Sequence, residues 1–187
     1  MTDKEILNFF FELGQLRRIK HEGWRLAGIE YPDSVAEHSL RAAQIGLVLA
    51  HLETYENPLE VCAMLVFHDI GECRIGDLHK VANRYVQVDE DRAVKEQLVS
   101  LGEVGESIYT LWKQVEHKDT RAGIIAKDAD YVEQGILAKE YVERGYVSAE
   151  DWIKNTSRAV KTDSAKRLLA ELPHTTSTDW WHGLKKL

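Results

Sequence analysis

The run LEVCAMLVF, Leu59 to Phe67, is apolar on nearly every side of a helix and passes, with no Gly or Pro, into His68-Asp69, with Glu72 and Asp77 close behind. Such a segment belongs at the centre of a fold. Ionisable groups at its end lose their hydration, which is unfavourable unless they are paired, hydrogen-bonded or bound to a metal. Any architecture for this chain must place a polar cluster beside its core.

The remaining periodicity is helical. There are 3 prolines in 187 residues, and no alternating run bounded by turn signals reads as a strand. The pattern predicts an all-α fold of about eight helices. The first follows Thr2 or Asp3 and carries Ile6, Leu7, Phe10, Leu13 and Leu16 on one face. A loop with Gly23, Gly28 and Pro32 ends it. The second runs from Ser34 to Leu52, with Ser34 and Glu37 spaced as a capping box. The third opens at Pro58, a favoured first-turn residue. Residues 70–88 read as irregular or as one short helix. Helices are then predicted at 89–100, 103–117, 120–144, 149–159 and 162–171, with a further short one in the tail STDWWHGLKKL. No composition shift marks a second domain, so a single domain over 1–187 is expected, with a core at about 5–160 and C-terminal helices and tail over 161–187.

A formal net charge of -7 argues against a partner that is a nucleic-acid polymer, whose phosphates call for an excess of Lys and Arg. It leaves room for one small phosphorylated ligand. Two cysteines, Cys62 and Cys73, make no disulfide framework and fit a reducing cytoplasm. The opening MTDKEILNFF carries acids where a signal peptide would be basic, and no apolar run reaches membrane-span length, so no membrane association is expected.

His38 shares a helical face with Ala42, Ile45 and Leu49 and so points inward, which alone fits a satisfied core histidine. Asp130 lies in a stripe with Ala126, Glu133 and Leu137, where an ion pair explains it as well as a metal does; Asp128 competes with it but faces elsewhere. Taken together, His38, His68, Asp69 and Asp130 come from three inward-facing helices and can converge on one ion. Imidazole and carboxylate without thiolate suit Mn²⁺, Co²⁺, Ni²⁺, Fe²⁺, Mg²⁺ or Zn²⁺.

The segments SVAEHSLRAA, FHDIGECRIGDL and AKDADYVEQ, in this order over roughly residues 5–160, resemble the HD-domain metal-dependent phosphohydrolases, and within them the 5′-deoxynucleotidase branch. The resemblance implies a helical bundle with a divalent metal ion between core helices, held by His38, His68, Asp69 and Asp130. Asp130 is preferred to Asp128 because the family's K-x-x-D-x-x-E run falls on Lys127, Asp130 and Glu133. It implies Glu72 as the acid/base beside the metal. Asp77 would hold the sugar side of the substrate or orient water, and Asp77, Leu78, His79 and Lys80 would line a nucleotide pocket. Arg18 would orient the phosphate, and Trp24 would pack near sugar and base. The stretch RRIKHEGW departs from the family pattern, and Arg17, Lys20 and His21 compete with Arg18 for the phosphate. The implied activity is removal of the 5′-phosphate from a (deoxy)nucleoside monophosphate by a homodimeric enzyme. Hydrolysis of a triphosphate, cyclic nucleotide or alarmone, or a non-catalytic nucleotide-binding module, are the competing readings. Trp112 and Trp152 read as packing residues, and Trp180-Trp181 as docked on the body or on a partner subunit.

Overall fold

A computed structural model of the chain describes residues 1–184. Nine α-helices are present among them: α1 (Asp3–Leu13), α2 (Val35–Leu52), α3 (Pro58–Phe67), α4 (Glu72–Ile75), α5 (Glu90–Leu98), α6 (Glu103–His117), α7 (Arg121–Glu143), α8 (Glu150–Ala159) and α9 (Asp163–Glu171). Short 3-10 turns join several of them, and the only extended pairing among the described residues is one antiparallel bridge between Lys20 and Ser34. The extra helix relative to the sequence reading is the single turn α4, and the tail helix is a 3-10 turn at Asp179–Trp181.

The helix starts are written locally. Thr2 with Glu5 and Ser34 with Glu37 each form a reciprocal capping box, satisfying backbone N–H groups that a helix leaves without partners. Thr120 and Thr162 cap α7 and α9 from their hydroxyls alone, accepting the Gly123 and Ala165 N–H groups.

The central helix is α7, which packs on α2, α3, α6, α8 and α9. This corrects the placement of α3. Val61, Met64 and Leu65 of α3 are fully buried against α2, α6 and α7, but Leu59 is 69% and Val66 48% exposed. An apolar circumference fits either a central helix or one with a bare outer face, and periodicity does not separate the two. The main core joins α2, α3, α6, α7 and α9. A second cluster packs α1 on α5 and α6, and a third seats Trp24 against α7 and α8.

Gly46 lets α2 and α3 approach closely: a Cβ there would lie 2.2 Å from Leu65 Cδ1. Among the described residues no helix is long and apolar enough to cross a membrane. Trp180 is 75% exposed, so it is not docked on the body of this chain.

Candidate active site

Three helices meet at the polar cluster. His38 closes the first turn of α2, His68 and Asp69 directly follow the end of α3, and Asp130 is in the middle of α7. His38, His68 and Asp130 are buried. The two ring nitrogens His38 Nε2 and His68 Nε2 face each other at 3.3 Å. Asp130 Oδ1 is 3.2 Å from His38 Nε2, and Asp69 Oδ2 is 3.0 Å from His68 Nε2 and 3.7 Å from His38 Nε2.

The other nitrogen of each ring is engaged. His38 Nδ1 donates to Glu133 Oε2 at 2.5 Å, and His68 Nδ1 donates to the Leu65 carbonyl at 2.8 Å. With the protons placed there, both Nε2 lone pairs point into one space shared with two carboxylates. Unprotonated nitrogens 3.3 Å apart repel unless a cation lies between them, so the donor set fits a divalent ion. Protonation is the alternative way to satisfy the cluster. Burial opposes charging of His38, yet Asp130 and Glu133 outweigh it and hold its pKa well above the ordinary value. Burial also pushes Asp69 up, but His68 beside it brings its pKa to about 2. Asp130 is held well below the usual carboxylate range, against its burial, by Lys127 and His38.

Neighbouring side chains hold this set in place. Arg41 bonds Glu133 Oε1 at 2.8 Å and Glu140 at 2.8 Å, so the carboxylate behind His38 is itself oriented. Lys127 Nζ lies 2.7 Å from Asp130 Oδ2, and Gln134 donates to Asp130 Oδ1 at 2.7 Å. Asp128 turns the other way. Its carboxylate accepts the Lys161 and Thr162 backbone N–H groups at 2.6 to 3.0 Å, anchoring the start of α9.

Beyond the cluster, α4 begins with Glu72, whose Oε2 is buried with no hydrogen-bond partner. Burial, then the charges of Asp69, Asp77 and Glu90, push its pKa up to about 10. The chain leaves α4 through Gly76 at φ 73°, a left-handed conformation that suits glycine and turns Asp77 back toward the cluster. Asp77 Oδ2 accepts the Glu22 N–H at 2.6 Å, linking the turn to the segment before Trp24.

A cavity of about 440 Å³ opens beside these residues. Asp77, Leu78, His79, Lys80 and Trp24 line it, while exposed Arg18 does not; its guanidinium bonds Gln15 instead. His21 lines the cavity and also lies within ligand distance of His38 and Asp69. Gln134 likewise borders the cavity while bonding Asp130, so cavity and cluster share a wall. Sequence reasoning missed the α8 wall: Trp152, Asn155, Thr156 and Ala159 all line the cavity. Their i, i+3, i+4, i+7 spacing was the available signal. Trp152 stacks on Trp24 at 5.1 Å and 28°, so this packing residue is also a cavity wall.

Comparison with known proteins places the chain in a family. Residues 13–172 match the family model described as an HD domain, and the chain belongs to that family. A Dictyostelium discoideum protein named 5′-deoxynucleotidase HDDC2 is 32% identical over 145 residues, covering 72% of this chain and 76% of that protein. The Homo sapiens protein of the same name is 25% identical over 182 residues, 94% of this chain and 88% of its own. A crystal structure from a genomics programme superposes with a TM-score of 0.80 at 31% identity, covering 95% of this chain and 99% of that one.

Proposed function

We propose that the chain is a metal-dependent phosphohydrolase that removes the 5′-phosphate from (deoxy)nucleoside monophosphates. One observation carries this reading: His38, His68 and Asp130, with Asp69 3.0 Å from His68, share a wall with a nucleotide-sized cavity, and Glu72 stands beside them with one carboxyl oxygen buried and unpartnered. The volume lies within the usual range for small-molecule sites. The names of the relatives supply the substrate class.

His38, His68, Asp69 and Asp130 would hold the divalent ion. When bound, such an ion neutralises phosphate charge and lowers the pKa of a coordinated water. The chain's own groups do the rest. Glu72, whose pKa is raised by burial and the neighbouring carboxylates, is placed to exchange a proton with the water or the departing 5′ oxygen. Asp77 is placed for the sugar, and Trp24 and Trp152 supply the apolar wall for sugar and base. His21, His79 and Lys80 are the cavity-lining side chains that can carry positive charge, enough for one phosphate and few for three.

The exposed apolar residues Leu40 and Val48 of α2 and Leu59 and Val66 of α3 are surface that a homodimer would cover, and the free Cys62 and Cys73 support a cytoplasmic location. A phosphate-release assay on dAMP, AMP, dATP and cAMP, coupled to metal analysis, tests the reading. Release from the monophosphates alone is expected; release from dATP or cAMP instead identifies another phosphohydrolase, and bound metal with no release identifies a binding module.

A further inference from the structure

We propose that His21, rather than Arg18, is the side chain that hydrogen-bonds the substrate's phosphate beside the metal; this rests on the hydrolase reading above. His21 Nδ1 is buried and meets no hydrogen-bond partner among the described residues, which is unfavourable unless a ligand completes it. The ring packs on His38 with centroids 4.4 Å apart, and ligand atoms of His21, His38 and Asp69 lie within 4.8 Å of one another. His68 and Asp130 do not join His21 in such a group, so it stands to the cavity side of the donor set, not at its centre. A phosphate bound to an ion there would have an oxygen facing it.

The position of His21 is fixed from its backbone. Its N–H donates to Asp33 O at 3.1 Å, its carbonyl accepts the Trp24 N–H at 3.2 Å, and the next N–H is held by Asp77. The adjacent Lys20–Ser34 bridge anchors the same strand of chain to the start of α2. Such pinning presents the ring already oriented, which lowers the ordering cost of binding. The rival side chains are less well placed: Lys80 is exposed, and His79, whose Nδ1 accepts the Ala82 N–H at 3.1 Å, does not join His38 and Asp69 in such a group.

The test uses the full chain loaded with Co²⁺, titrated with inorganic phosphate and followed by its visible spectrum, with kcat and KM for dAMP measured in parallel. His21→Ala is expected to weaken phosphate binding by about 10- to 100-fold, the range of one charge-assisted hydrogen bond, and to raise KM for dAMP. Its Co²⁺ affinity stays close to that of the unaltered protein, and His21→Gln recovers part of the loss. If His21→Ala does not fold, His21→Asn and His21→Phe give the same comparison with and without a donor. Unchanged phosphate binding in His21→Ala, a parallel fall in Co²⁺ affinity, an equal loss in Arg18→Ala alone, or no phosphate binding by the unaltered protein overturns the assignment. Phosphate binding that depends on His21 without turnover of any nucleotide upholds it while removing the hydrolase reading.

Discussion

Glu133 and His38 are joined across α2 and α7 by a 2.5 Å hydrogen bond from His38 Nδ1, and this bond turns Nε2 toward His68, Asp69 and Asp130. A carboxylate behind a ligating imidazole fixes the tautomer and raises the basicity of the other nitrogen. Glu133→Gln is therefore expected to weaken metal binding by about 10- to 100-fold with the helical content retained. Titration against a competing chelator measures it, and unchanged affinity would show that Glu133 is dispensable for orientation.

Glu72→Ala separates chemistry from metal binding. The carboxyl lies outside the donor set, so the variant should retain metal while turnover falls by about 10²- to 10⁴-fold, the usual contribution of a positioned acid or base. Metal content and steady-state rates measured on one preparation decide it; full turnover in the variant sinks the assigned role.

Asp128 and Asp130 should part company. Asp128→Ala removes the acceptor for the backbone of Lys161 and Thr162 and is expected to cost about 2–4 kcal/mol in urea unfolding while leaving metal binding intact. Asp130→Ala should lose metal instead. The opposite assignment of the two phenotypes would reverse the ligand choice.

Gly46→Ala places a Cβ 2.2 Å from Leu65, whose carbonyl holds His68 Nδ1. Overpacking at this contact is expected to destabilise the fold by about 1–3 kcal/mol. Because Leu65 and His68 move together, metal affinity should fall as well; a stability loss with unchanged affinity would uncouple packing from the site.

Glu90, on the first turn of α5, packs over Gly71, and burial followed by the charges of Glu116 and Asp69 pushes its pKa up from 4.5 to about 7. The folded state then binds more protons than the unfolded state between these values. Stability is fullest below the lower value and declines as pH rises through about 7. Glu90→Gln removes this dependence, so its stability relative to the unaltered protein should rise by about 1 kcal/mol or more, at least one pKa unit's worth, between acid and mildly alkaline solution. Denaturant melts on either side of neutrality check the sign, and a constant difference would remove Glu90 from the account.

Much of the fold and site is legible in the chain because its causes are local. Ser34 and Glu37 cap α2 through neighbours three residues apart, and His38 inherits its inward direction from the spacing to Ala42 and Leu49. His68-Asp69 after an apolar run announces a polar cluster against the core. The stripe Trp152, Asn155, Thr156 and Ala159 was also present as a pattern, but an amphipathic face does not say whether it meets a core or a cavity.

The sequence by itself determined the helices, their caps and the residue types that converge, since these follow from periodicity and from hydrogen bonds between near neighbours. The tertiary structure alone decided which basic side chain of the RRIKHEGW stretch faces the cavity. Arg18 and His21 lie three residues apart, yet the Lys20–Ser34 bridge and the Asp77–Glu22 bond carry His21 to the donor set and leave Arg18 on the surface. It also decided that α7, not α3, is the central helix. Both outcomes depend on packing between distant segments, which one-dimensional periodicity does not encode.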